Sequence, residues 1–294
     1  MSNYLSLNRF FTKTTFNQII SNECCPLYTS IKKQYSNGNA TLNKDVIASF
    51  YSCLEKNYRN EYFYKNTLFY ELILAKHKIE STKVYSELSI GKCIADLVTI
   101  NGKAIVYEIK TEFDNLDRIE QQINQYYECF PYVVIVCCSK LLPKVTLMYS
   151  NSPVGIYCIT NNNKIKVLKE PEEYNDLLDK KTIFDILRKK EYESVLRKNK
   201  LKLPHTTQVK YHSECLKLFT SLDISAIQKD VLFILKKRFP KVNKLFYNVP
   251  NELKMLVYQS NYNNADYSRL FTFLESQPIN YKEEKRNVFS ILAR

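Results

Sequence analysis

The stretch from residue 94 to 112, IADLVTINGKAIVYEIKTE, constrains the fold of this chain more than any other. It has the pattern of two apolar β-strands joined by an Asn-Gly turn, which is a strong local signal for a β-hairpin. Three charged residues interrupt the pattern, because Asp96 lies in the first strand and Glu108 and Lys110 lie near the end of the second. Charges within strands that enter a core need partners.

The register of this hairpin decides whether its acids can meet. Glu108 and Lys110 share one face of their strand, because side chains alternate between faces. A two-residue Asn-Gly loop would set Asp96 opposite Tyr107 and leave Glu108 on the other face. The two acids share a face only if the loop is odd in length or one strand carries a bulge. A three-residue loop over residues 101–103 meets this requirement.

Two neighbouring carboxylates raise each other's pKa unless a cation lies between them. Their hard oxygen atoms suit Mg²⁺ or Mn²⁺, and the backbone carbonyl of Ile109 would add a third oxygen. Lys110 would then orient or help to deprotonate an attacking water, or neutralise charge on a phosphate. This combination favours phosphodiester hydrolysis. The alternative is an exposed hairpin end with solvated charges, since short motifs recur by chance.

The elements around the hairpin favour a compact α/β unit. Helical periodicity over residues 41–77 precedes the strands, and Asp114 is expected to cap a helix that runs to about Cys129. Strands are predicted at residues 84–90, 94–100, 103–110 and 132–138, and a last hairpin at 155–160 and 164–168. Ser36–Asn39 has the composition of a turn, and Pro26 is expected to interrupt an N-terminal helical segment.

The second part of the chain is basic. Of the formal net charge of +13, residues 1–165 contribute +4 and residues 166–294 contribute +9. We predict a domain over residues 1–170, with a core at about 40–140, followed by a helical region over 171–294. A basic balance indicates a polyanionic partner, most often nucleic acid. Biased use of Lys, Asn, Ile and Tyr is the alternative explanation.

Basic stretches at residues 188–202 and 236–244 are the candidates for nucleic-acid contact. The residues predicted to make it are Arg188, Lys189, Lys190, Arg197, Lys198, Lys236, Lys237 and Arg238. A solvated helix face is the alternative for any single lysine among them. The sequence shows no clear helix-turn-helix or zinc-finger pattern, so it predicts no base specificity.

Asp96 followed by Glu108-Ile109-Lys110 resembles the PD-(D/E)xK nuclease superfamily, and within it a bacterial and phage-borne branch of uncharacterised proteins. The resemblance covers roughly residues 80–140, and more weakly about 40–170. It implies a restriction-endonuclease-like core, α-β-β-β-α-β with a mixed sheet, before the helical C-terminal region. Ala95 stands where the name-giving proline would be, which is common in the superfamily.

The resemblance also implies roles for residues. Asp96 and Glu108 would be metal ligands together with the Ile109 carbonyl, and Lys110 would be the catalytic lysine. Glu87, on the preceding strand, would be an accessory ligand, and Glu71, on the first helix, is the competing candidate.

The helix after the lysine contains a QxxxY pattern, Gln122 and Tyr126, whose members share a helix face. Many nucleases of the superfamily have this pattern, so both residues are predicted to act at the site. Gln121 with Gln125 is an alternative frame that lacks the tyrosine.

The resulting expectation is a Mg²⁺- or Mn²⁺-dependent nuclease that acts on duplex or single-stranded DNA. A non-cleaving nucleic-acid-binding protein, or a protein-interaction module, is the alternative on the same fold. The polar start of the chain and its short apolar runs predict a soluble, cytoplasmic protein without a membrane partner. The nine cysteines are expected to be reduced thiols. A homodimer that pairs two sites is a further expectation.

Overall fold

The computed structural model describes residues 4–21, 25–36, 40–75, 78–238 and 242–278. The chain forms two compact units, one made of Met1–Tyr70 with Lys241–Arg294 and the other of Glu71–Pro240. Most of the predicted turn at 36–39 and the end of the predicted helix at 76–77 lie outside the described residues, as does Lys241. In the described residues, no helix is long and apolar enough to cross a bilayer.

The middle of the chain contains both α-helices and β-strands, and the described residues on either side of it are helical. The α-helices, in chain order, are α1 (Leu5–Phe10), α2 (Lys13–Ile20), α3 (Pro26–Tyr35), α4 (Asn43–Asn57), α5 (Glu61–Leu68), α6 (Ile119–Tyr127), α7 (Leu142–Tyr149), α8 (Lys180–Asp185), α9 (Lys189–Lys198), α10 (Gln208–Thr220), α11 (Ile224–Lys237), α12 (Lys254–Ser260) and α13 (Asn264–Glu275). The β-strands are β1 (Lys83–Ile90), β2 (Cys93–Asn101), β3 (Lys103–Lys110), β4 (Val133–Cys138), β5 (Gly155–Ile159) and β6 (Ile165–Lys169). A π-helical segment, Phe69–Leu74, follows α5, and 3₁₀ turns Lys244–Asn248 and Asn251–Leu253 precede α12.

The Glu71–Pro240 unit is built on a mixed sheet of six described strands in the order β1-β2-β3-β4-β5-β6. β1, β2 and β3 are antiparallel, β4 and β5 run parallel to β3, and β6 returns antiparallel to β5. The predicted strands are confirmed with ends that shift by at most one residue. The order helix, three strands, helix, strand is also present, because α6 is the crossover that parallel strands β3 and β4 require.

Two helices beside the sheet differ from expectation. α6 begins at Ile119 rather than after Asp114, because the Asp114 carboxylate instead accepts hydrogen bonds from the N–H and Oγ1 of Thr111, at 2.8 and 2.7 Å. The second parallel connection, between β4 and β5, runs through α7, which the sequence did not predict. Its Pro143 lies in the first turn, where a missing N–H breaks no helical hydrogen bond.

Helices α8–α11 belong to the core of this unit, whereas α12 and α13 belong to the other unit. Buried side chains of α8–α11 pack in one cluster with the sheet and α6, among them Phe184, Val195, Phe219 and Val231. On α9, Tyr192, Val195 and Leu196 are buried. The predicted boundary at residue 170 therefore does not coincide with the division into units.

The other unit joins the two ends of the chain through a buried asparagine. The Asn43 Nδ2 donates to the carbonyl of Phe273 at 2.9 Å, and the Asn43 N–H donates to the carbonyl of Ser276 at 3.0 Å. The hydroxyl of Tyr28 donates to the Asn43 Oδ1. Pro26 begins α3 instead of interrupting a helix, again because proline fits the first helical position.

Candidate active site at the end of the central hairpin

The β2–β3 hairpin has the odd register that a shared site requires. Leu97 pairs with Tyr107 and Asn101 pairs with Lys103, so Gly102, with a positive φ of 77°, is the single residue between the two strands. Continued by one residue, this register sets Asp96 opposite Glu108, on the same face of the sheet. The prediction of an odd loop is confirmed.

The ladder between β2 and β3 opens where the acids begin. Its last pair is Leu97 with Tyr107, and one step further the Asp96 Oδ2 accepts the N–H of Ile109 at 2.7 Å. A side chain thus takes a backbone donor that a strand carbonyl would otherwise satisfy. The half-buried Asp96 carboxylate is therefore held against β3, beside Glu108.

Glu108 and Lys110 form a buried ion pair. The Lys110 Nζ lies 2.8 Å from the Glu108 Oε1, and the two side chains are only 11% and 3% exposed. The Lys110 Nζ also donates to the Gln122 Oε1 at 2.9 Å. Buried charges are costly unless they are paired and hydrogen-bonded, and both conditions are met here.

The QxxxY pattern of α6 brings both of its side chains to this pair. The Tyr126 hydroxyl lies 2.6 Å from the Glu108 Oε2 and 2.9 Å from the carbonyl oxygen of Ile94, and it can donate to either. Burial, followed by the negative charge of Glu108, raises the pKa of Tyr126 far above its usual value. The phenol therefore stays protonated and acts as a hydrogen-bond donor to the carboxylate.

The alternative frame, Gln121 with Gln125, does not place Gln125 at the pair. The Gln125 Oε1 accepts the N–H of Lys92 at 3.3 Å, and its Nε2 donates to Glu128. Gln125 also fills the space beside Gly91, which has a positive φ of 56° and where an added Cβ would lie 2.4 Å from the Gln125 side chain. Gln125 thus supports the β1–β2 turn.

The two candidates for an additional acid differ in position. Glu87 lies opposite Asp96 in the β1–β2 register, is exposed, and has a φ of 58°, an uncommon backbone conformation for a residue other than glycine. Glu71 pairs instead with Lys164, at 2.9 Å, in the loop that precedes β6. The register therefore favours Glu87 as the neighbour of Asp96.

Among the described residues, no three His, Cys, Asp or Glu side chains are spaced to hold a metal ion, so Glu87 does not complete a three-acid group. The pair of Asp96 and Glu108 nevertheless fits Mg²⁺, which is often held by one or two carboxylates and keeps several waters. The Lys110 ammonium against Glu108 shows that this position accommodates positive charge.

One predicted nucleic-acid contact, Arg238, is corrected by the structure. The Arg238 side chain is 7% exposed, and its guanidinium lies 2.5 Å from a Glu191 carboxylate oxygen and donates to the carbonyl of Ile186 at 2.9 Å. An arginine whose hydrogen-bond donors are directed at buried protein groups is not available to bind a phosphate. Lys198 is paired with Asp230, and Lys236 is half-buried.

The other predicted cations do lie on the surface of α9 and α11. Those with exposed side chains are Arg188, Lys189, Lys190, Arg197, Lys198 and Lys237. The Lys237 ammonium lies 3.9 Å from the ring centre of the exposed Phe233. This surface has the charge that a polyanion would need.

Sequence reasoning missed two features beside the pair. The Ile94 carbonyl, which anchors Tyr126, is a backbone group and leaves no trace in the sequence. The turn Thr111–Asp114, TEFD, could have been found, because Thr and Asp side chains commonly hydrogen-bond to nearby backbone and form such turns.

The unit is thus an α/β domain with a polar site at the open end of its central hairpin. A family model described as Bacteriophage P4 protein cII matches residues 54–261, and the chain belongs to that family. Protein cII of Enterobacteria phage P4 is 29% identical over 175 residues, which are 58% of this chain and 64% of that relative. The chain thus covers less than two thirds of the relative's length.

A solved structure of a protein of unknown function from Silicibacter pomeroyi was also matched. It is 10% identical, with a TM-score of 0.28, over 40% of this chain and 78% of that one.

Proposed function

We propose that this chain is a metal-dependent nuclease that hydrolyses phosphodiester bonds of DNA on a restriction-endonuclease-like core. One observation supports the proposal above all others. The buried Glu108–Lys110 pair lies beside Asp96 and is contacted by both members of the QxxxY pattern. A solvated hairpin end would expose these charges rather than surround them.

Each residue has a role that its contacts support. Asp96 and Glu108 would hold Mg²⁺ or Mn²⁺, with the Ile109 carbonyl as a further oxygen ligand. The bound ion would polarise the phosphodiester and lower the pKa of the attacking water. Lys110 would move from Glu108 toward the phosphate, where its ammonium stabilises the charge that develops on the phosphate oxygens.

Gln122 and Tyr126 would be positioning residues. Gln122 accepts a hydrogen bond from Lys110 and therefore limits the directions in which the ammonium can point. Tyr126, held protonated, donates to Glu108 and fixes the orientation of that carboxylate. Groups that are held before substrate arrives need no reorganisation during the reaction.

The alternative is a non-cleaving protein that binds nucleic acid or another protein on the same fold. The exposed cations of α9 and α11 favour nucleic-acid binding under either proposal. The second acid beside the buried pair favours the enzyme, because a structural ion pair has no need of another carboxylate next to it.

The test incubates the full chain with plasmid, linear duplex and single-stranded DNA in Mg²⁺, in Mn²⁺ and in EDTA. We expect cleavage that requires the metal and falls at least about 100-fold in Asp96→Ala and Lys110→Ala, as removal of a group that stabilises developing charge does. Asp117→Ala and Lys140→Ala, which change exposed residues of the same charge, should cleave like the unaltered chain. DNA binding without cleavage in either metal would establish the alternative.

A further inference from the structure

We infer that the substrate strand is unpaired at the point of cleavage, with one base stacked on Phe113 and the adjoining phosphate held by Arg118. The inference rests on the proposed function, because it names the form of nucleic acid that the same site would accept. The residues concerned are Ile94, Phe113 and Arg118, which are together called the site rim below.

Phe113 is an exposed aromatic ring on an anchored turn. It follows Lys110 by three residues, and 57% of it is exposed. Its N–H donates to the Thr111 Oγ1 at 3.2 Å, while the buried Thr111 is itself bound by the Asp114 carboxylate. The turn is therefore held by its own hydrogen bonds, and it exposes the ring three residues after Lys110.

Ile94 provides a second apolar group on the other side of Lys110. The β2–β3 register, continued beyond Asp96, sets Ile94 opposite Lys110. Its carbonyl oxygen lies 2.9 Å from the Tyr126 hydroxyl, and 57% of the residue is exposed. Single exposed apolar residues are common, but two of them flanking a buried charged pair form a surface with both apolar and ionic parts.

Arg118 adds a positive charge to the rim. It is exposed at the N-terminal end of α6, four residues before Gln122, and residues four apart lie on one face of a helix. Asp114, four residues earlier, is occupied by Thr111, and within the described residues Arg118 forms no ion pair with it. Burial and the charge of Glu108 raise the pKa of Cys93, and the charge of Arg118 opposes them, which is consistent with a location near Glu108.

This combination of groups fits an unpaired nucleotide better than a duplex. A ring stacks on a base only if the face of that base is accessible, and in a duplex neighbouring bases cover it. A single strand, an overhang or a splayed end offers both a free base face and a phosphate. The ring of Phe113 would bind the first and the guanidinium of Arg118 the second, next to Lys110.

The test uses the fact that the chain has no tryptophan. Phe113→Trp introduces one fluorophore at the rim, and Leu147→Trp introduces one on α7, where the residue is 84% exposed, as a control. Both full-length variants are titrated in EDTA, which prevents cleavage, with a single-stranded oligonucleotide and with its duplex. Thermal melts check that each variant folds.

We expect the single strand to quench the fluorescence of Phe113→Trp and the duplex to leave it unchanged, with no quenching in Leu147→Trp. In a parallel binding assay with a labelled strand, Phe113→Ala should weaken single-strand affinity about 5- to 100-fold, the range that loss of one stacked base gives. Arg118→Gln should weaken it and reduce its dependence on salt.

Equal quenching of Phe113→Trp by single strand and duplex would overturn the requirement for an unpaired base. Unchanged affinity in Phe113→Ala would overturn the stacking role. These readouts do not depend on catalysis, so selective quenching in a chain that never cleaves DNA would retain the binding of an unpaired base at Phe113 and reject the nuclease. Cleavage without selective quenching would do the reverse.

Discussion

Two buried ion pairs in the Glu71–Pro240 unit look alike in exposure and differ in their surroundings. Glu108 and Lys110 are 3% and 11% exposed, and Glu191 and Arg238 are 14% and 7% exposed. Arg238 directs its hydrogen bonds at Glu191 and at the carbonyl of Ile186. The positive and negative groups of that pair satisfy each other.

The Glu108–Lys110 pair has a second acid beside it. Asp96 lies opposite Glu108, and Gln122 and Tyr126 approach from α6. Burial alone therefore does not identify a functional site. A second acid beside a buried pair, where a strand ladder opens, is the feature that separates the candidate site from a structural ion pair.

Loss of the arginine from the structural pair should have the largest effect on stability. Arg238→Met leaves the Glu191 carboxylate without its cation, and removal of one partner from a buried pair destabilises by about 3–5 kcal/mol. Denaturant unfolding monitored by circular dichroism measures the free energy. Lys190→Met, at an exposed position of α9, should stay within about 0.5 kcal/mol of the unaltered chain. A loss below about 1 kcal/mol in Arg238→Met would show that the pair is not buried in solution.

The second prediction tests whether the other pair is a place for a metal. Lys110→Met leaves Glu108 and Asp96 together without a cation, so the variant should be destabilised, and Mg²⁺ or Mn²⁺ should restore stability. At about 100 times the dissociation constant, an ion that binds only the folded state stabilises by about 2.7 kcal/mol.

Thermal melts with and without the ion make this measurement. Arg238→Met serves as the control, because a metal at a distant site has no means of replacing a guanidinium between protein groups. Equal responses of the two variants to the ion would contradict a metal site at Asp96 and Glu108.

The sequence was most informative where a periodic pattern met a turn signal. The alternation in residues 94–112 predicted the strands, and the requirement that Asp96 and Glu108 share a face predicted an odd loop, because a register slip would reverse every side chain. The spacing of Gln122 and Tyr126 likewise predicted their shared direction. Charge was the least informative property, since Arg238 stands beside Lys237 in the sequence and only packing separates a buried arginine from an exposed lysine.

The division of the chain into two units could not be predicted from the sequence either. Asn43 binds backbone groups more than 200 residues away, and no local pattern encodes such a contact. The start of α6 was misplaced for a related reason. Asp114 suits a helix cap and a turn equally well. Its carboxylate accepts the hydrogen bond from Thr111 because β3 ends just before that residue.

The third prediction concerns the exposed cations of α9. Replacement of Lys189, Lys190 and Arg197 by Gln should weaken DNA binding about tenfold at moderate salt and leave stability unchanged. Each phosphate contact contributes about 0.9 to the slope of log affinity against log salt for duplex DNA, so the slope should fall by up to about 3. A matched variant with Lys140, Lys144 and Lys166 changed to Gln removes the same charge elsewhere on the surface. An equal loss of DNA affinity in this variant would show that the effect comes from net charge alone.

The smallest expected effect is the acid sensitivity of the structural pair. Burial by itself would raise the pKa of Glu191, but the hydrogen bonds from Arg238 and from the N–H of Arg188, with the charge of Arg238, outweigh it and lower the pKa below its ordinary value of 4.5. A carboxyl whose pKa is lower in the folded state stabilises the fold above its unfolded pKa, and this contribution is lost as pH falls through the folded pKa.

Unfolding free energies measured from pH 6 to pH 3 should therefore fall more steeply for the unaltered chain than for Glu191→Gln, which cannot titrate. The loss should be smaller than in Arg238→Met, because protonation removes one charge and leaves the side chains packed. Other carboxyls titrate equally in both proteins, so the difference between the two curves isolates Glu191, and a difference that stays constant or shrinks toward high pH would contradict the pairing.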